Sequence, residues 1–525
     1  MVNNYLKKRY FKNLSLFLFL FTSIKVTYLF VNSLGGDDLS YWIFNTSLII
    51  DKDWIFLEEI YDLKINLVKS YALNVPLHSF GSSLISIPIV SILYPIDVLF
   101  NSPILSNPNF VMNSFMYLGY FFVSSFSGIL SMVIIKKILN EFSFKFSSTN
   151  LLILCLGSSY YYFIFHRFTL NHTFEVLVNS LIIFTTVKFL NKRRKIFLAI
   201  LTFLVFLALN IRISNYNILF FPIFIYYLHK DLNKQNKPLD RRDYLTFSIF
   251  FTIFFLIFGI INNFLYGSAI RTNYCNTKQQ CDAFIHPFLG QSISDVLQNI
   301  LNILKNLDGF LFSLGPGLIW SFPMMFFLIL FLYIPKIKLN IKFLFLLSIS
   351  IPLITTLFWR GLESEFNPRL MVGLIPILTV YYFYLVHLDL LPNLIKKIIY
   401  FLSSYNIFNQ FFYHTNQFTT LNSELGYMGL EVPYSNKDIN LDILFQFFEN
   451  ILFLPSVIGK SLLGVDLIYI TNLINKNMIN RISKINENIY EFINSYSQIN
   501  VWILVLINLY VFILYFFINE KILKD

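Results

Sequence analysis

The chain has 525 residues, 56% of them hydrophobic and 19% aromatic, with only 13% charged, and a mean hydropathy of +0.62. Soluble domains carry about 25% charged residues, so half that share cannot clothe a water-exposed surface, and a soluble enzyme is excluded. The formal net charge of +11 lies in short segments between apolar runs, the pattern that sets membrane topology rather than one that binds nucleic acid.

At about 20 residues per crossing, the length predicts an all-α polytopic transmembrane bundle of about 11–13 spans. The first span is expected over residues 14–34, behind the basic start Lys7, Lys8, Arg9 and Lys12. No small-residue cleavage site follows it, so it reads as an uncleaved anchor. It delivers a first extracytoplasmic loop, 35–80, with seven carboxylates against three lysines. Next comes an apolar stretch, 81–98, interrupted by Pro88 and Pro95, and then a long run from Phe110 to Ile135. If both cross, the basic segment Lys136, Lys137 and Lys145 falls outside, against every other cluster. If the first lies along the membrane or re-enters it, the parity is restored.

Downstream, hairpin tips at His166–Thr173 and Asn210–Asn215 are expected to face outward, separated by the basic turn Lys192–Lys195. After the basic stretch 230–242, a span near 244–265 opens a second exterior loop, 266–308. Spans near 309–333, 341–359 and 370–388 follow, with Lys336, Lys338 and Lys342 on the cytoplasmic side and RGLESEFNPR outside. Residues 1–390 form one expected domain. The polar and amphipathic region 391–500, which opens with Lys396 and Lys397, has no assigned role and precedes a last span at 501–518. No repeat of 20–50 residues is visible. Of the three cysteines, Cys155 reads as a small apolar side chain inside a span. Cys275 and Cys281 share the second exterior loop and are expected to pair in an oxidising compartment, two free thiols being the alternative.

Ionisable groups avoid the centres of the spans and collect at their exterior ends. Coupled transporters place them at mid-membrane, so this distribution favours a reaction at the outer face. The sharpest feature is Gly35-Gly36-Asp37-Asp38, directly after the first span. Paired carboxylates at the boundary can divide labour, one taking a proton from a hydroxyl and the other orienting it or holding a divalent cation. Either acid equally suits the cap of a following helix. His172 and Glu175 are three residues apart and share a helix face, for an acceptor, a cation or only each other. His166 and Arg167 are lower-ranked phosphate contacts. Trp42, Trp320 and Trp359 are sugar-stacking candidates, and also what any membrane interface carries. No nucleotide-binding, zinc or nucleophile-elbow motif stands out.

Several phrases, in order, resemble the GT-C glycosyltransferases, the group that includes protein O-mannosyltransferases and aminoarabinose transferases. They are the acidic pair Asp37-Asp38, VPLHSFGSSLISIPIV, NHTFEVLVNSLIIF from Asn171, LALNIRISNYNILFFP around Arg212, YGSAIRTNY around Arg271, LGPGLIWSFP from Leu314 and FNPRLMVGLIPIL around Arg369. They cover about residues 14–390; the tail resembles nothing in the group, and the RIS phrase lacks the proline often found after the arginine. The resemblance implies transfer of a sugar, with inversion, from a polyprenyl-phosphate carrier to an extracytoplasmic glycan, lipid or protein. It implies Asp37 as general base, with Asp38 its partner or a ligand for Mg²⁺ or Mn²⁺, and Arg212, Arg271 and Arg369 beside the leaving phosphate. The expected location is a bacterial inner membrane with the site facing the periplasm or exterior, and the basic turns on anionic lipid headgroups. Two other readings remain open, a polyprenyl-linked polysaccharide polymerase or ligase and a lipid-linked-sugar flippase.

Overall fold

The structure, a computed structural model, describes residues 36–52, 80–100, 114–165, 171–233, 239–266, 318–330, 332, 334–358 and 369–419, with the backbone alone at 36–40, 118, 121, 165, 213–214, 266, 320, 355, 357–358, 369 and 408–419. The chain divides into two compact units, Asn32–Ile407 and a second made of Met1–Val31 with Phe408–Asp525. Nearly all described residues belong to the first. Among them there are helices and no strands: α1 (Gly36–Thr46, prolonged by a π turn to Asp51), α2 (Gly81–Leu99), α3 (Phe115–Glu141), α4 (Ser148–Leu156), α5 (Tyr160–Phe165), α6 (His172–Lys192), α7 (Ile196–Ile211), α8 (Phe220–Leu232), α9 (Arg241–Tyr266), α10 (Leu318–Ser321), α11 (Pro323–Leu330), α12 (Leu339–Phe358), α13 (Ile375–His387) and α14 (Asn393–Thr419). Two 3-10 helices, Ile213–Leu219 and Arg369–Leu374, precede α8 and α13. The expected first and last spans lie outside the described residues.

Five stretches are long and apolar enough to cross a bilayer: Gly81–Leu99, Phe115–Glu141, His172–Lys192, Arg241–Leu265 and Leu370–His387. The protein is an integral membrane protein of all-α architecture. Helix α6 is buried almost throughout, from His172 to Leu190, with Leu181, Phe184 and Lys188 half-buried along one face, as expected of a helix without a polar face that runs through a bundle. Helix α9 is the opposite case. It packs on α7 through Phe206, whose ring lies 4.9 Å from Phe251 and 5.9 Å from Phe258. Its other face exposes Leu245, Ile249, Ile253, Leu256, Ile260 and Phe264, a stripe at helical spacing that only lipid can solvate.

Helices α3 and α6 run parallel, and their cross-links define two ends. Near one end Ser124 bonds Thr173 at 2.8 Å. At the other, Glu141 pairs with Lys188 and accepts from Asn191 at 2.8 Å. The second end also holds Arg193 with Asp243, Lys338 with Asp231 and Lys396 with Asp389. The basic turns thus gather at one end, which the positive-inside bias makes cytoplasmic. The exterior end is where the start of α6 meets the end of α7, with the Asn171 amide donating to the Ile211 carbonyl at 2.7 Å.

Helix α2 is continuous through Pro88 and Pro95, so the prolines do not break the segment as the sequence suggests. Its start lies on the exterior end of α7: a Cβ on Gly81 would sit 2.5 Å from the Ile211 nitrogen. Its far end stays on the same side. The buried Asp97 carboxylate accepts from the Phe115 and Met116 amides, both at 2.7 Å, capping the exterior start of α3. Long and apolar as it is, α2 does not carry the chain from one end of the bundle to the other. The basic segment 136–145 therefore shares the cytoplasmic end with the Lys192–Lys195 turn. With the three native cysteines replaced by serine, a membrane-impermeant maleimide added to intact cells is expected to label Phe100→Cys. It should label Lys145→Cys only after permeabilisation, and labelling of both from outside would overturn the arrangement.

Candidate functional site

The exterior end is built around a break in a membrane helix. Helix α7 stops at Ile211, Arg212 is extended (φ −155, ψ 124), and the chain resumes as a 3-10 helix before α8. The sequence N-I-R-I-S-N-Y-N favours this, because Asn and Ser compete for backbone hydrogen bonds and are poor in helix interiors. A break inside an apolar bundle exposes carbonyls that no water can satisfy. Asparagines supply amide donors around it. Asn215 donates to the Ala208 carbonyl at 3.1 Å, Asn210 to Phe206 at 2.9 Å, and Asn217 across to Ser348 of α12 at 2.9 Å.

The extended residue turns its guanidinium to the first turn of α6. Arg212 Nη1 donates to Glu175 Oε2 at 3.5 Å and lies 3.3 Å from His172 Nδ1, itself 3.2 Å from the same carboxylate oxygen. The three form a closed triangle. Phe163 of α5 covers the imidazole, with ring centroids 4.2 Å apart. Glu175 Oε1 faces the backbone of the 3-10 helix before α13, where a Cβ on Gly373 would lie 2.3 Å away. Exposure separates the roles. His172 and Glu175 are sealed at 2% and 1%, whereas Arg212 keeps 17% of its side chain open. Arginine is the group of the three that can meet a ligand, and the other two stand behind it.

This donor set does not suit a divalent cation, since the guanidinium occupies the carboxylate oxygen a metal would need. Among the described residues no cluster of three His, Cys, Asp or Glu side chains forms.

Of the sequence candidates, His172, Glu175 and Arg212 come together. Asp37 and Asp38 fall in the first turn of α1, where carboxylates favour a helix N-terminus; their side chains lie outside the described set. Trp42, one turn on, is fully buried against Tyr117 at 5.6 Å and Tyr120 at 6.1 Å. It is a packing residue here, not a sugar platform. Tyr120 reaches Phe174 beside Glu175, at 6.0 Å, so aromatic contacts join the acidic helix to the triangle. Arg369 opens the 3-10 helix Arg369–Leu374. His166, Arg167, Arg271, Cys275, Cys281 and Trp359 lie outside the described residues, as does the Trp320 side chain. Sequence reasoning passed over Asn179, one turn below Glu175, whose amide donates to the Gly373 carbonyl at 2.9 Å. A lone amide on the Glu175 face of an apolar helix was the available signal.

No family model matches the chain, and no curated protein matches it. Among solved structures it is similar to the Archaeoglobus fulgidus oligosaccharyltransferase in complex with zinc and sulfate, at 14% identity and a TM-score of 0.39. The likeness covers 81% of this chain and 58% of that one. A likeness so distant shows neither family nor activity. What composition and fold define is the class: a polytopic helical membrane protein with a buried ionic triangle at its exterior end.

Breaking a buried ion pair from one side leaves a stranded charge and costs about 3–5 kcal/mol. Glu175→Ala is therefore expected to lower the thermal unfolding midpoint in detergent markedly. Glu175→Gln combined with Arg212→Met, which removes both charges, should recover most of the loss. A double variant no more stable than Glu175→Ala would refute the pairing.

Proposed function

We propose that the protein is a GT-C-like membrane glycosyltransferase that moves a sugar from a polyprenyl-phosphate carrier to a hydroxyl acceptor at the exterior face. The observation that carries the reading is Arg212. It is a cation at a helix break on the non-cytoplasmic end, locked from behind by two buried partners and partly open in front. Such a group is preorganised to meet negative charge at the membrane boundary. The order of the GT-C-like phrases supports the same reading.

In this scheme a first-loop carboxylate takes the proton of the acceptor hydroxyl. The freed oxygen attacks the anomeric carbon, the bond from that carbon to the phosphate oxygen breaks with inversion, and Arg212 meets the charge left on the carrier phosphate. The resemblance carries Asp37 as the base and Asp38 as its partner, and both stand in the first turn of α1. No step is routed through a metal.

Purified protein incubated with a panel of radiolabelled prenyl-phosphate sugars is expected to release free carrier from one of them. Asp37→Asn should cut turnover by about 10²–10⁴, Asp38→Asn by less, and Arg212→Met by about 10²–10³. Full turnover in the Asp37→Asn, Asp38→Asn double variant would favour a polymerase or ligase built on later loops. Movement of an intact lipid-linked sugar across vesicles, with the carrier never released, would favour a flippase.

A further inference from the structure

Helix α12 runs from the basic residues 336–342 at the cytoplasmic end toward the exterior, and it carries Pro352 inside its outer half. Proline has no N–H to give the carbonyl four residues before it, and its ring crowds that carbonyl. In α12 the acceptor left over is the carbonyl of Ser348, a residue fully buried in the bundle, where no water can answer it. The donor comes from another element. Asn217, in the 3-10 helix that follows Arg212, gives its Nδ2 to the Ser348 carbonyl at 2.9 Å. Its other amide atom, Oδ1, is buried without a partner among the described residues, so the asparagine is kept there for the one bond it donates.

The same stretch of α12 is softened on one face. Ser348, Pro352 and Thr356 are spaced by four and share a side of the helix. The Ser348 hydroxyl donates back to the Leu344 carbonyl at 2.8 Å and the Thr356 hydroxyl to the Pro352 carbonyl at 2.6 Å, bonds that bend helices and here flank the proline. On the other side of the joint, the segment after Arg212 is tied back to α7. Asn215 Nδ2 donates to the Ala208 carbonyl at 3.1 Å, and the Arg212 amide donates to that carbonyl at the same distance. Arg212 therefore opens a short segment anchored at two points, one on α7 and one on α12. Helix α12 also packs on the 3-10 helix before α13, so it touches both irregular segments of the bundle.

We propose that Asn217 is a positioning residue. It ties the outer half of α12, which can bend at Pro352, to the segment that opens with Arg212, so that the bend of the helix and the placement of the segment change together. A hinge needs a soft point and a handle; Pro352 supplies the first and, by freeing the Ser348 carbonyl, creates the second. The consequence for turnover rests on the reading of this end as a glycosyl-transfer site, whereas the joint itself does not.

The test uses the full-length protein with Asn217→Leu, Pro352→Ala and the pair. Asn217→Leu alone strands a buried carbonyl and should lower the thermal unfolding midpoint by a few degrees. In the Pro352→Ala background the alanine N–H answers that carbonyl, so the same change should leave the midpoint unmoved. The carbonyl still has a second lone pair for Asn217, and Pro352→Ala alone keeps the tie. Spin labels on Leu219→Cys and Ile354→Cys, both lipid-exposed positions, with the native cysteines replaced by serine, should give one narrow distance in the parent and in Pro352→Ala. The distance should spread in both variants that lack Asn217. The stable pair should also release carrier about tenfold more slowly than Pro352→Ala, since a small misplacement is enough for such a loss. Equal losses of midpoint in both backgrounds, or a pair with unchanged spacing and full turnover, would overturn the proposal, leaving Asn217 as a partner for a carbonyl and nothing more. The expected midpoints and spacings in a protein that releases carrier from no prenyl-phosphate sugar would leave the joint standing and sink the transferase reading instead.

Discussion

A carboxylate removed from water at Glu175 has to be answered by a cation, and meeting that demand organises the exterior end of the bundle. The answering group comes from α7, and a regular helix would not deliver it. The chain instead breaks at Arg212, where the Asn171 amide takes the Ile211 carbonyl and Asn215 adds a second donor to Ala208. The buried charge thus goes with a helix interruption, two asparagines that bond around it, and a histidine pressed under Phe163.

The two ends of the molecule solve their electrostatics differently. At the cytoplasmic end lysines pair with acids at partly open positions, as with Lys338, 65% exposed beside Asp231. Such pairs contribute little to stability, and their value lies in orientation. At the exterior end the ionic triangle is almost sealed, and it holds a guanidinium in one place. That asymmetry, more than any motif, is why the proposed reaction is placed at this end.

Fold class was legible from composition, and the spans near 244–265, 341–359 and 370–388 fall on α9, α12 and the segment ending in α13, because long apolar runs between basic turns leave few alternatives. The meeting of His172, Glu175 and Arg212 was half visible. The i, i+3 pair follows from helix geometry, whereas the approach of Arg212 depends on a break that only the cluster of asparagines hinted at. The Asn179–Gly373 bond was not legible, since it joins residues nearly two hundred positions apart and turns on the absence of a side chain. Trp42 fits neither of its two sequence readings, ligand platform or interfacial ring, since it is enclosed by Tyr117 and Tyr120.

Helix α2 has a consequence for how the chain is built into the bilayer. Emerging from the ribosome, residues 81–99 present an apolar segment that insertion machinery would accept as a crossing. The partners that keep Asp97 at the exterior, the amides of Phe115 and Met116, are made only afterwards. Orientation of everything downstream is thus settled by a segment that arrives late, and the nascent protein must tolerate an undecided helix until α3 begins.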